Sequence, residues 1–132
     1  MGTNSAIQAL LRDAMRLGSI IPLLGVLAAL SPSWAGTTTL HCLLQGQKEP
    51  EYVTAELDIP GKMVMAFTRS DGLRLISAPV SFVETDRTFT WHDNYSYTDI
   101  LDRKTLELLR KGEAMGIRLQ FGYACKIVSN QL

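Results

Sequence analysis

From Gly36 onward, apolar side chains recur mainly at every second position, the period of a strand buried on one face. Val53, Ala55, Leu57 and Ile59 alternate with Tyr52, Thr54, Glu56 and Asp58. Pro60-Gly61 then suits a type II turn, and Met63, Met65 and Phe67 resume the alternation on one face. Ser70-Asp71-Gly72 reads as a hairpin into Leu73 and Leu75. There the parity slips, so that Ile76, Ala78, Val80 and Phe82 share a face. A slip of one residue predicts a bulge, and Pro79 predicts an edge or a bulge. Phe89 and Trp91 form the inward face of a short strand, and Asp93-Asn94 makes a tight turn into Tyr95–Leu101.

The last strand is long, with Ile117, Leu119, Phe121, Tyr123, Cys125 and Ile127 on one face. At the opposite end Leu40, Cys42 and Leu44 share a face around His41 and Leu43. The segment Asp102–Gly112 fits two elements. As a helix, Asp102 is the N-cap, Arg110 and Lys111 lie in the last turn and Gly112 follows. As a strand, a turn at Arg103-Lys104 leads into inward Leu106 and Leu108. Period-two alternation on both sides favours the strand. The expected fold is therefore all-β: a single antiparallel meander of 7–8 short strands forming a small barrel or sandwich. The alternative is α+β with a helix at about 102–111. No repeat, linker or low-complexity tract interrupts the pattern.

The first 35 residues follow a different grammar. Arg12 and Arg16 precede an apolar run from Leu17 to Leu30, and small residues stand at Ser33 and Ala35. This is the layout of a secretory signal, expected to be helical over 1–35 and cut between Ala35 and Gly36. The run is too short for a spanning helix, which takes about 20 apolar residues. Met15 offers a second start for a more compact signal. Thr39-Leu40-His41 before Cys42 does not fit a lipidation site, so no stable membrane anchor is expected after cleavage.

Residues 36–132 are enough for one domain and one core. The whole chain balances 13 basic against 13 acidic side chains, and the part after Gly36 carries one excess acidic group. That balance argues against a nucleic-acid partner, which favours a basic face, and against a polybasic membrane patch. Two cysteines in an exported domain read as one disulfide, Cys42–Cys125. Each lies on the apolar parity of its own strand, as a staple between first and last strands requires. Closing so long a loop corresponds to roughly 4 kcal/mol in the chain-entropy model.

Two resemblances follow from these residues. Trp91, then Tyr97-Thr98-Asp99-Ile100-Leu101-Asp102-Arg103-Lys104-Thr105-Leu106, then Gly122-Tyr123-Ala124-Cys125 resembles the tail of small uncharacterised exported bacterial β proteins. Those share a tryptophan strand, a Tyr-x-Ile-Asp-Arg-x-Thr-Leu-like hairpin and a Gly-x-Cys-like end, and the resemblance implies no particular activity. In architecture the domain is similar to periplasmic inhibitors of C-type lysozyme, small eight-stranded barrels with a cysteine near each end. Their inhibitory loop is Ser-Gly-x-x-Tyr. The nearest stretch here, Ser70-Asp71-Gly72-Leu73-Arg74, has neither the Ser-Gly pair nor the tyrosine, so the resemblance implies architecture only.

Candidate chemistry is sparse. His41 and His92 are the only histidines. His92 neighbours Asp93, with Asp99 and Asp102 nearby, but zinc needs three or four converging ligands. Both histidines lie on polar parity and are read as surface residues. Glu84-Thr85-Asp86-Arg87 is read as a solvated turn rather than a glycosidase carboxylate pair. Met63, Met65, Phe67, Phe82, Phe89 and Trp91 would line an apolar-ligand cavity or fill the core, and small barrels are filled by their own side chains. The resulting expectation is no enzyme, no metal and no cofactor. The chain reads as a periplasmic or secreted interaction module that binds an unknown protein or envelope component through loop residues such as Ser70, Asp71, Asn94 and Arg103. The alternatives are a small apolar-ligand carrier and a lysozyme-inhibitor-like protein.

Overall fold

A computed structural model describes residues 32–131. The signal helix expected over 1–35 falls outside them except for 32–35, as does the second start at Met15. Nine antiparallel strands follow one another: β1 (Thr37–Leu44), β2 (Tyr52–Asp58), β3 (Met63–Arg69), β4 (Val80–Ser81), β5 (Val83–Glu84), β6 (Thr88–His92), β7 (Thr98–Asp102), β8 (Glu107–Ala114) and β9 (Ile117–Gln131). Their order in the sheet is β4-β3-β2-β1-β9-β8-β7-β6-β5. First and last strands pair, and the two sheet edges, β4 and β5, are separated in sequence only by Phe82. The sheet is therefore a nearly closed up-and-down barrel, with one bent wall split into two short strands. Near-closure leaves little free edge for other chains to pair with.

The alternation holds where strands pair regularly. Leu40, Cys42 and Leu44 on β1, Val53, Ala55 and Leu57 on β2, Phe89 and Trp91 on β6, and Tyr123 on β9 are all buried. Cys42 and Cys125 stand directly opposite each other in the β1–β9 ladder and are bonded. Inside, Phe67 meets Trp91 edge-on at 5.5 Å and Phe82 meets Phe89 at 4.6 Å between ring centroids. These offset contacts are the ones aromatic quadrupoles favour.

Five expectations need correction, each for a reason in the backbone. Pro60-Gly61 does form the turn, closed by the Lys62 amide donating to the Ile59 carbonyl at 3.2 Å. The positive φ (55°) lies on Lys62 rather than Gly61, which is not the type II pattern. Gly61 matters for space instead, since a Cβ there would sit 2.5 Å from Asp58 Oδ2. Met63, Met65 and Phe67 do not share a face. The β2–β3 register shifts between Glu56 and Leu57, so Met65 is an extra residue, 45% exposed, while Val64 and Phe67 point inward.

Leu73–Pro79 is not a regular strand. It runs back beside β3, tied by the Arg69 amide to the Leu73 carbonyl, the Leu75 amide to the Phe67 carbonyl and a single bridge between Thr68 and Arg74. Leu75 and Ile76 are both buried and Ala78 is exposed, so the expected alternation from Ile76 to Phe82 breaks. Ile117 is 63% exposed because β7 pairs with β8 only as far as Lys111, leaving the β8–β9 tip a two-stranded ribbon.

The segment 102–111 is strand, and no helix occurs among the described residues. The Asp102 carboxylate accepts the Lys104 and Thr105 amides at 2.8 and 2.9 Å, which is turn capping rather than a helix start. Leu106 takes φ 61° and ends that turn half-buried, so inward packing on β8 begins at Leu108.

Candidate functional site

β1 and β3 end, and β7 and β9 begin, at one mouth of the barrel, where a cleft of about 380 Å³ opens. Its wall is mostly aromatic and aliphatic: Tyr95, Tyr97, Phe121 and Tyr123 beside Leu73 and Leu75. Gln47, Glu51 and Arg69 supply polar groups, and Arg110 forms part of the lining.

Arg110 reaches the interior because it continues the inward parity of Leu108, as Asp99 shares that of Leu101 on the neighbouring strand. Asp99 and Arg110 are direct partners in the β7–β8 ladder. Arg110 Nε donates to Asp99 Oδ1 at 2.8 Å, and Nη2 donates to Asp93 Oδ2 at 2.5 Å. The side chains of both aspartates are fully buried and that of Arg110 is 7% exposed. The guanidinium also lies over the Tyr97 ring, 4.5 Å from its centroid, a desolvated cation–π contact. Asp93 in turn shapes the cleft wall, since its Oδ1 accepts the Tyr95 and Tyr97 amides at 2.8 and 3.3 Å. Gly112 leaves room for the Tyr97 ring, which a Cβ there would meet at 2.9 Å.

Two carboxylates share one cation away from water, which leaves one negative charge in excess. Burial, reinforced by the hydrogen bond and charge of Asp93 against the opposing pull of Arg110, pushes Asp99 up to about 8. Asp99 Oδ2 has no hydrogen-bond partner among the described residues, and an unsatisfied buried oxygen favours the neutral acid. Burial alone would lower the pKa of Arg110, but the Asp99 charge and the Asp93 bond raise it well above its ordinary value.

A raised acid stabilises the fold fully below its unfolded value near 4 and loses that contribution as pH climbs toward 8. Asp71 and Asp102, both lowered to about 2, act the other way and only below about pH 4. The melting temperature is therefore expected to fall between pH 5 and 8, and Asp99→Asn to flatten that slope. Circular dichroism melts across this range check it, and equal slopes in the two proteins would show Asp99 to be ionised throughout.

Asp93 and Asp99 thus converge, while the other polar candidates separate. His92 is exposed, with Nδ1 3.2 Å from Thr98 Oγ1, and His41 packs on the Tyr52 ring at 4.4 Å. Asp102 faces Arg87 at 2.7 Å. Glu84 pairs with Arg103 at 3.2 Å, and Thr85 closes the turn to Thr88. Of the loop candidates, Ser70, Asp71 and Asn94 flank cleft residues, and Asp71 holds Arg69 by two bonds of 3.0 and 2.6 Å. Arg103 lies away from the cleft, on the β7–β8 turn. Among the described residues, no group of three or more His, Cys, Asp or Glu is placed to hold a metal ion. The buried Asp93–Arg110–Asp99 cluster was missed in the sequence. Its signal was an arginine and an aspartate on the apolar parity of adjacent strands. Comparison with family models, curated proteins and solved structures finds no match to this chain.

Proposed function

We propose that this is an exported binding module, periplasmic or secreted, which recognises a protein or envelope component at the cleft beside Arg110. The observation that supports this most is the preorganised wall. Tyr97 is stacked on a guanidinium that two buried carboxylates hold, and Tyr95 stands beside it 49% exposed. Rigid tyrosines offer a partner large contact area at little entropic cost. Arg69 and Glu51 at the same cleft add polar groups that select orientation. Export is supported by the leader-like first 35 residues, and the disulfide is compatible with an oxidising, extracellular compartment. The carrier reading has less support, because Phe67, Trp91, Phe82 and Phe89 occupy the interior that a ligand would need.

The test uses solubilised envelope fractions titrated into labelled protein. Amide shifts are expected to map to Gln47, Leu73 and Tyr95. Tyr95→Ala is expected to weaken retention at least about tenfold, the size of a single hot spot, with an unchanged melting temperature. Val83→Ala, on an exposed edge strand away from the cleft, serves as control. Retention equal to wild type in Tyr95→Ala, Leu73→Ser and Arg69→Gln would remove the cleft from consideration.

A further inference from the structure

β1 starts beside Trp34 and ends at the cleft residue Leu44, so Trp34 lies at the other end of the barrel. Its ring meets Phe89 edge-on at 5.0 Å, and its Nε1 donates to the Arg103 carbonyl at 2.9 Å. It packs partly buried against the core. Yet Trp34 stands on the leader side of the expected cut between Ala35 and Gly36.

The receiving surface does not depend on Trp34. The peptide that bears the acceptor is held by the Lys104 amide, which donates to Asp102 Oδ1 at 2.8 Å, and the preceding peptide by the Arg103 amide, which donates to the Arg87 carbonyl at 2.7 Å. The Arg103 guanidinium is held by Glu84 Oε2 at 3.2 Å and the Thr85 carbonyl at 2.5 Å, and it lies 4.8 Å from the Phe89 ring centroid. On the other side of the cut, the Gly36 carbonyl accepts the Ile59 amide at 2.9 Å, anchoring the start of β1. Losing Trp34 would uncover the part of the Phe89 ring that it meets and leave the aimed Arg103 carbonyl without its indole donor.

We propose that this end of the barrel is a receptor for a tryptophan side chain, filled in cis by Trp34 and vacated when the chain is cut after Ala35. The ligand is an indole: a flat apolar ring to meet Phe89 and an N–H to meet the Arg103 carbonyl. The mature protein then takes a tryptophan from a partner in the geometry its own leader displays. The vacating step rests on the reading of an exported, processed chain, whereas the receptor itself does not.

N-acetyl-tryptophanamide titrated into the full chain tests the receptor. It is expected to raise the melting temperature of Trp34→Ala saturably at millimolar concentration and to leave wild type unchanged. N-acetyl-phenylalaninamide, which has no ring N–H, should act several-fold more weakly. Trp34→Phe keeps the ring and so the fold. It is expected to melt below wild type and stay unresponsive to the probe. No response in Trp34→Ala, an equal response in wild type, or Trp34→Phe melting with wild type overturns the receptor. The intact mass of protein recovered from its exporting host tests the vacating step. A chain starting at Gly36 that binds the probe without mutation supports it, and a chain that retains Trp34 overturns it and the processing reading together.

Discussion

Arg110→Met is expected to destabilise the barrel by about 3–5 kcal/mol, the cost of removing one partner from a buried ionic cluster. That is a large share of the stability of any small domain. The reason is the two carboxylates left behind rather than the bonds lost. Asp93 and Asp99 are fully buried at the side chain, and Arg110 is the cation that contacts them both. The methionine fills much of the stem's volume, so the cavity contribution stays small. Because Asp99 readily takes up a proton, the residual charge falls mainly on Asp93. The triple variant Arg110→Met, Asp93→Asn, Asp99→Asn is then expected to recover part of the loss. Urea unfolding of the three proteins at one pH measures this, and a loss below about 1 kcal/mol in Arg110→Met would mean that water reaches the carboxylates. The same variant removes the support under Tyr97, so the cleft should loosen before the barrel unfolds.

The second large effect is at the disulfide. Cys125→Ser is expected to cost about 2–5 kcal/mol, and treatment with reductant should act in the same direction. The bond spans 83 residues, so its loss returns to the denatured chain the entropy of a loop that holds nearly the whole domain. Its position adds to this. The barrel is continuous in chain at the β4–β5 bend, and the β1–β9 ladder is the seam at which it closes. The Cys42–Cys125 bond crosses that seam. Part of the effect should therefore appear as a larger denaturant slope, since an uncrosslinked denatured chain exposes more surface. Identical melting curves in oxidising and reducing buffer would rule the staple out as a source of stability.

The strand pattern was readable because side-chain parity is a local property. Val53, Ala55 and Leu57, or Phe89 and Trp91, need only an extended backbone and a core on one side to be assigned inward. The same parity placed Cys42 and Cys125 on core-facing positions of the first and last strands, where they are bonded. It also favoured strand over helix at 102–111, where alternation on both flanks outweighed good helix formers and a plausible cap. Propensity is the weaker signal once neighbouring strands supply the pairing.

Met65 shows where that logic stops. A bulge is a relation between two strands, visible only when Glu56 faces Ala66 and Leu57 faces Val64 with one residue left over. Nothing in Met63-Val64-Met65-Ala66-Phe67 announces it. The candidate site has the same origin. Arg110 and Asp99 occupy inward parity, so their burial was legible in principle, but their pairing depends on the β7–β8 register. Asp93 joins them only because the turn after β6 folds back over Tyr97. Hydrophobic pattern alone ranks a charged residue as exposed, and the free energy that reverses this lies in a partner 11 or 17 residues away.

The sequence by itself determined the all-β class, the faces of the regular strands and a pair of cysteines suited to a staple. These follow from the two-residue period and from composition, which act over neighbouring positions. Only the tertiary structure decided that β1 and β9 close the barrel, that Leu73–Pro79 runs irregularly back beside β3, that Arg110 serves two aspartates beneath a tyrosine cleft, and that Trp34 packs on Phe89. Each of these depends on where residues distant in the chain come to rest, because hydrogen-bond register and the desolvation of charge are set by neighbours in space.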